Sequence, residues 1–317
     1  MQPVSALVMP HRPPMCAPGH RRSGARRGGS AARATAYDAA VVLDLGGRRF
    51  DLTRRALVIG VLNRTRDSFH DRGAYFELDA LLSRAEELVA DGAHVLEVGA
   101  RPGGVGVMEV SEAEETALAV ESIEKLRARF DVPIAVDTQS AAVAAAAFGV
   151  GAVLGNDMSG FRDAGYLSAA AAAGAAVIAT HIRLPPGVPD PDPVYGDVVE
   201  DVVAALMELA TRARAAGIPA DRIVLDPGYD LGKTWQQTLR LLAATPRFAQ
   251  LGYPLLIAVS NKIFLARTLG LDGDDRGTAT VIACAYGVAH GGRVLRVHDA
   301  QAGRQVADLI GALQERE

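Results

Sequence analysis

Asp226-Pro227-Gly228 closes a short apolar run, and Gly232-Lys233-Thr234 follows close behind. A carboxylate delivered to the end of a buried strand, then a glycine turn and a lysine, are the parts of a binding site. The nearest phosphate-cradle pattern is G-x-x-x-x-G-K-[ST]. Counting back from Gly232, its first glycine falls on Pro227, which has no N–H to offer a phosphate. The P-loop reading therefore fails, and Asp226 and Lys233 need another chemistry.

Other apolar runs end in the same way. Asn63 follows Leu57–Leu62, Asp137 follows Ile134–Val136, and Asn156-Asp157 follows Ala152–Leu154. His181 follows Ala176–Ala179, Ser260-Asn261-Lys262 follows Leu255–Val259, and Arg296 and His298 end the run Val294–Val297. Any one of these is an ordinary turn or helix cap. Their shared position is what singles them out. Asp137, Asn156 and Asp226 offer acceptors and an amide, suited to a flat nitrogen heterocycle bearing several N–H donors. Arg296, His298 and Asn63 suit an anion, a phosphate accompanied by a divalent ion. Lys233 and Lys262 can serve either half.

The elements that must place these groups are short apolar runs alternating with longer Ala/Leu/Glu/Arg stretches. Besides those above, Val95–Val98 and Ile223–Leu225 complete eight candidate strands, apolar enough to be covered on both faces. Helices are expected over Leu78–Ala90, from the Ser111-Glu-Ala-Glu114 capping box to about Phe130, and over Ala141–Phe148, Tyr166–Ala173, Val198–Ala216 and Ala302–Gln314. Eight strand–helix units predict an α/β fold, a TIM barrel, with a doubly wound open sheet as the alternative. Val41–Leu45, Gly46-Gly47 and Arg48–Leu52 predict a preceding β-hairpin. In a barrel the active site lies at the C-terminal strand ends, where the polar groups fall.

Composition narrows the function classes. The chain has 317 residues, 49% hydrophobic, with a formal charge of −4. Residues 1–37 carry six arginines and no acid, so removing those six positive charges leaves −10 for the rest. An acidic body is a poor nucleic-acid binder. Residues 1–38 read as a disordered basic tail and 39–317 as one domain. No apolar stretch approaches the roughly 18 residues of a membrane span. Cys16 and Cys284 are too few for a disulfide framework or a four-thiolate metal site, which predicts a cytoplasmic protein.

Six ordered motifs, spanning about residues 55–315, resemble those of the dihydropteroate synthase family, a pterin-binding TIM barrel. Asn63-Arg-Thr-Arg-Asp-Ser-Phe69 resembles N-V-T-P-D-S-F, Pro133-Ile-Ala-Val-Asp-Thr138 resembles P-I-S-V-D-T, and Asn156-Asp-Met-Ser-Gly160 resembles N-D-V-S-G. Asp226-Pro-Gly-Tyr-Asp-Leu-Gly-Lys233 resembles D-P-G-I-G-F-G-K, Ser260-Asn-Lys262 resembles S-R-K, and Arg296-Val-His298 resembles R-V-H. The resemblance implies joining of hydroxymethyl-dihydropterin pyrophosphate to para-aminobenzoate with release of pyrophosphate. It assigns the pterin ring to Asp137, Asn156, Asp226 and Lys262, and the pyrophosphate to Asn63, Arg296 and His298. Asn63 would carry Mg²⁺, Lys233 and Lys262 would be the catalytic lysines, and the protein would be a homodimer.

The departures fall on the aminobenzoate side, where Arg101, Pro102 and Leu231 would stand. The family's D-I-G-G-E-S-T-R-P-G is shortened here to Glu97-Val-Gly-Ala-Arg-Pro-Gly103, and Leu231 replaces a phenylalanine. Asn261 replaces an arginine and Ile263 a serine, each removing a contact to a carboxylate. At roughly 1.5–3 kcal/mol each, two such losses weaken acceptor binding by about two to four decades. Three functions follow from this pattern. The first is a working synthase that holds aminobenzoate differently, through Arg64, Arg66 or Arg101. The second is a pterin-binding paralogue, of the kind found as a second copy in the family, with weak or no synthase activity. The third is a folate-dependent methyltransferase, disfavoured because its methyl donor has no pyrophosphate to occupy Arg296 and His298.

Overall fold

A computed structural model of the chain describes residues 40–65, 76–102, 110–271 and 275–316. The expected basic tail, Cys16 and Arg66 lie outside them. Residues Ala36–Glu317 form one compact unit. It begins with the expected hairpin, β1 (Val42–Leu45) and β2 (Arg48–Asp51), paired antiparallel. Gly46 and Gly47 turn it with φ of 62° and 90°, a backbone that favours glycine.

Eight parallel strands follow: β3 (Leu57–Asn63), β4 (Val95–Gly99), β5 (Ile134–Asp137), β6 (Leu154–Asp157), β7 (Ala176–Thr180), β8 (Ile223–Asp226), β9 (Leu256–Ile257) and β10 (Val294–Val297). Their order is β8-β7-β6-β5-β4-β3-β10-β9, and a parallel bridge from Leu225 to Leu255 brings β8 back to the start of β9. The sheet thus curls into a TIM barrel. Its outer layer is α1 (Leu78–Ala90), α2 (Glu112–Arg129), α3 (Ala141–Gly149), α4 (Tyr166–Ala173), α5 (Val198–Ala215), α6 (Trp235–Ala243), α7 (Thr245–Ala249), α8 (Ile263–Leu269), α9 (Gly277–Ala289) and α10 (Ala300–Gln314).

Alternate residues of a strand face opposite sides of the sheet, and the core divides accordingly. Val58, Leu62, Leu96, Val98, Val136, Val177, Leu225 and Leu295 pack outward under the helices. Inward, near the strand starts, Leu57, Ile59, Val95, Leu154, Ala176, Val224 and Val294 meet Leu43, Leu45 and Leu52 of the hairpin. The hairpin is therefore the apolar plug of the N-terminal end. Arg222 fastens it through a 2.9 Å ion pair to Asp44. The same inward face, continued to the C-terminal end, is polar.

Several boundaries differ from the sequence reading, and two of the shifts involve polar residues at strand or helix ends. The fourth barrel strand is Leu154–Asp157 rather than Ala152–Leu154, so Asn156 and Asp157 belong to the strand and not to the turn after it. Pairing with β7, which aligns Asn156 with Ile178 and Asp157 with Ala179, overrides their turn preference. The last helix begins at Ala300 rather than Ala302, because Asp299 caps it by accepting from the Ala302 N–H at 2.9 Å.

Candidate active site at the C-terminal end of the barrel

Asn63, Asp137 and Asp226 are the last residues of β3, β5 and β8, and Arg296 lies within β10. Each shares strand parity with the inward apolar plug, so its side chain enters the barrel mouth. Glu97 on β4 and Thr180 on β7 have the same parity, and sequence reasoning passed over both. The signal for Glu97 was a lone acid inside an otherwise apolar run.

The most strongly connected group is ionic. Arg296 donates from Nε to Glu97 Oε1 at 2.6 Å and from Nη2 to Asp137 Oδ2 at 2.8 Å. Glu97 is fully buried, and its second oxygen accepts from Asn156 Nδ2 at 3.1 Å. One buried carboxylate thus joins an expected ring ligand to an expected pyrophosphate ligand. Burial, together with Glu97 nearby, outweighs the Arg296 charge and raises the Asp137 carboxyl to about 7. Burial pulls the Arg296 pKa down, but Glu97 and Asp137 push it higher on balance.

Asp226 is held separately. Its Oδ1 accepts the Gly228 N–H at 2.8 Å, and Thr180 Oγ1 stands 3.4 Å from Oδ2. Gly228 has φ of 69°, and a Cβ there would lie 1.9 Å from the His181 carbonyl oxygen, so the turn after β8 requires glycine. Lys233 secures this turn. Its ammonium donates to the carbonyls of Gly228 at 2.8 Å, Leu231 at 2.9 Å and His181 at 3.3 Å. Burial lowers its pKa to about 7, against the opposing pull of Asp226. The Lys262 ammonium donates to the Tyr229 carbonyl, and burial lowers its pKa also. His181, expected at the strand-five end, is pushed down to about 3 by burial and by the nearby Lys233 charge, which makes it neutral. His298 follows β10, with Nδ1 2.9 Å from Ser260 Oγ.

The aminobenzoate side is looser. Arg101 is 43% exposed and makes one long ion pair, 3.5 Å to Glu115. Ile263 is 49% exposed at the start of α8. Asn261 adopts φ of 57°, a conformation asparagine tolerates better than most residues. Arg64 corrects one expectation. Its guanidinium turns away from the mouth to Glu121 at 2.7 Å, Ser122 Oγ at 3.1 Å and the carbonyls of Phe76 and Leu118. Those bonds commit it to holding α2, so it is not available to a substrate carboxylate.

The strand-end side chains fit a Mg²⁺ ion of limited demand. The Asn63 amide oxygen lies over Gly99, where an added Cβ would come within 3.4 Å of it. Among the described residues no three His, Cys, Asp or Glu side chains cluster as a metal cage. Mg²⁺ bound chiefly by phosphates and water needs only one or two protein oxygens. At the opposite end, a cavity of about 900 Å³ lies between the hairpin and α10. Its Arg55 and Arg304 are paired with Glu315 and Asp308, and it contains none of the strand-end groups.

Residues 59–298 match the family described as pterin binding enzyme. The chain is 35% identical over 260 residues to the dihydropteroate synthase of Bacillus subtilis (strain 168), covering 82% of this chain and 89% of that one. The chain belongs to the pterin-binding enzyme family, with the dihydropteroate synthases. It is also 37% identical to the inactive dihydropteroate synthase 2 of Mycobacterium leprae (strain TN), over 82% of this chain and 91% of the relative. A crystal structure of the Yersinia pestis dihydropteroate synthase with a sulfonamide drug complex superposes with a TM-score of 0.83 at 32% identity, over 87% of this chain and all of that one. In this pterin-binding barrel the family match begins in β3 and ends at His298, so it takes in every strand that contributes to the mouth. No helix among the described residues is long and apolar enough to cross a membrane.

Proposed function

We propose that this chain is a dihydropteroate synthase, joining hydroxymethyl-dihydropterin pyrophosphate to para-aminobenzoate and releasing pyrophosphate. The observation that carries the reading is the ring of inward acceptors, Asp137, Asn156 and Asp226, set beside the half-buried Arg296 at the strand ends. Asp137, Asn156 and Asp226 hold the pterin by its N–H edge, and Lys262 approaches the other edge. Asn63, Arg296 and His298 hold the pyrophosphate. Lys233 contributes by fastening the turn that presents Asp226.

When the C–O bond to the pyrophosphate breaks, its electron pair leaves with that group. The methylene carbon becomes a cation conjugated with the pterin ring, which the surrounding carboxylates favour. The aniline nitrogen forms the C–N bond and gives up a proton. A Mg²⁺ ion on Asn63 and the phosphate oxygens would neutralise charge developing on the leaving group. Arg101, Pro102 and Leu231 line the approach of the aminobenzoate.

A second reading, a pterin-binding paralogue with weak or no synthase activity, draws support from the exposed Ile263, the loosely held Arg101 and the similarity to the inactive relative. Steady-state assay of the purified protein with both substrates and Mg²⁺ separates the two. Dihydropteroate formation supports the synthase; pterin pyrophosphate binding without product leaves the paralogue, and binding of neither substrate removes both. The protein is further proposed to act in the cytoplasm, consistent with only two cysteines, and as a homodimer. Exposed Val281, Ile282 and Tyr286 on α9, with Leu309 and Leu313 on α10, supply apolar surface for a second copy. Light scattering measures that state directly, and a monomer at micromolar concentration would contradict it.

A further inference from the structure

Glu97 interrupts the apolar run of β4 and is fully buried, yet neither half of the substrate site as assigned above includes it. Its two oxygens have different partners. Oε1 accepts from Arg296 Nε at 2.6 Å, and Oε2 accepts from Asn156 Nδ2 at 3.1 Å. An ionised carboxylate only accepts hydrogen bonds, so whichever end of the Asn156 amide faces it must be the NH₂ end. The amide oxygen then points away. Within the described residues, that oxygen accepts no hydrogen bond and is not sealed from solvent. Asn156 itself is 5% exposed on the inward face of β6. Asp137, the Asn156 oxygen and Asp226 are then all acceptors on the inward face of the strand ends.

We infer that Glu97 sets the hydrogen-bond polarity of the ring pocket, fixing Asn156 with its carbonyl toward the substrate and so selecting pteridines that bear N–H donors on that edge. The inference rests on the reading that Asn156 contacts the pterin. Glu97 is a positioning residue: it touches Asn156 and Arg296, and acts through them.

Glu97→Gln makes a sharp test, because the neighbours determine how the introduced amide must lie. Arg296 has only donors, so it claims the oxygen of that amide. The introduced NH₂ then faces Asn156, two NH₂ groups repel, and Asn156 must turn its own oxygen inward and its NH₂ to the substrate. One acceptor in the pocket becomes a donor. The probes are pterin and lumazine, in which an oxo group replaces the 2-amino group. Calorimetry of both ligands with the unaltered protein and with E97Q gives their ratio of dissociation constants.

The unaltered protein is expected to prefer pterin, and E97Q to narrow that preference by about tenfold, the scale of one buried hydrogen bond reversed. Asp226 keeps the preference from vanishing. Equal weakening of both ligands would leave Glu97 a merely structural residue and overturn the inference while sparing the ring assignment. Failure of the unaltered protein to bind pterin would remove the assignment and the inference together. Should E97Q not fold, Glu97→Asp decides the matter, since a carboxylate at that position still requires the NH₂ of Asn156. Its preference is expected within about threefold of the unaltered protein, and a larger loss contradicts the inference.

Discussion

Asp137, Asn156 and Asp226 stand on backbone that neighbouring strands hold in register, whereas Arg101, Pro102 and Leu231 stand on the loops beyond. On the strand side, Asp137 aligns with Gly99 and Asn156, and Asp226 aligns with Thr180. Asp137 and Asn156 are joined through Arg296 and Glu97. On the loop side, Arg101 reaches Glu115 only at 3.5 Å, and Leu231 is held by its carbonyl to Lys233 rather than through its side chain. The ring and pyrophosphate half is preorganised before any ligand arrives. The aminobenzoate half is not, and substitution there leaves the first half intact.

That contrast can be broken from the strand side first. Arg296→Ala leaves the fully buried Glu97 without its ion-pair partner, and urea denaturation is expected to show a stability loss of about 3–5 kcal/mol. A loss below about 1 kcal/mol would mean that the three groups do not form a buried unit. Asp226→Asn keeps an oxygen for the Gly228 N–H but removes the charge. Pterin affinity is expected to fall by about two decades in a titration, with the melting temperature nearly unchanged. Unchanged affinity would place the ring elsewhere.

Acidity sharpens the comparison. Burial raises Asp137 to about 7, so its carboxylate is partly protonated below neutrality and a ring N–H then loses its acceptor. Pterin affinity is expected to rise with pH through that range, by up to about tenfold per unit on the acid side. Asp137→Asn should weaken binding and flatten its pH profile; a slope that survives the substitution must come from another group. The smallest effect belongs to the loop side. Arg101→Ala is expected to raise the KM for aminobenzoate by less than about fivefold, because an exposed guanidinium contributes about 1 kcal/mol or less. A much larger rise would show that the loop closes into a structured site around substrate.

The barrel and most of the strand-side site were legible in the sequence. Asn63, Asp137 and Asp226 end their strands, so reading each apolar run to its first polar residue found them. Glu97 and Thr180 were missed for the opposite reason. Each belongs to a strand covered on both faces, where composition conceals which residues point inward. The parity of Asp137 would have exposed Glu97, since Gly99 pairs with Asp137 and Glu97 lies two residues before it on the same face. Helices α6 to α9 went unread: the Thr234–Gln237 capping box that opens α6 was passed over, α7 and α8 are only 5 and 7 residues long, and α9 is apolar on nearly every face. The commitment of Arg64 to α2 depends on Glu121 and Ser122, contacts across 57 and 58 residues that no local pattern reveals.

Titration of the purified protein with hydroxymethyl-dihydropterin pyrophosphate and Mg²⁺, without aminobenzoate, tests the preorganised strand-side half most directly. One saturable site per chain is expected, formed in the absence of the second substrate and weakened by about two decades in Asp226→Asn. No binding until aminobenzoate is added, or equal binding by the Asp226→Asn variant, would contradict a preorganised ring pocket.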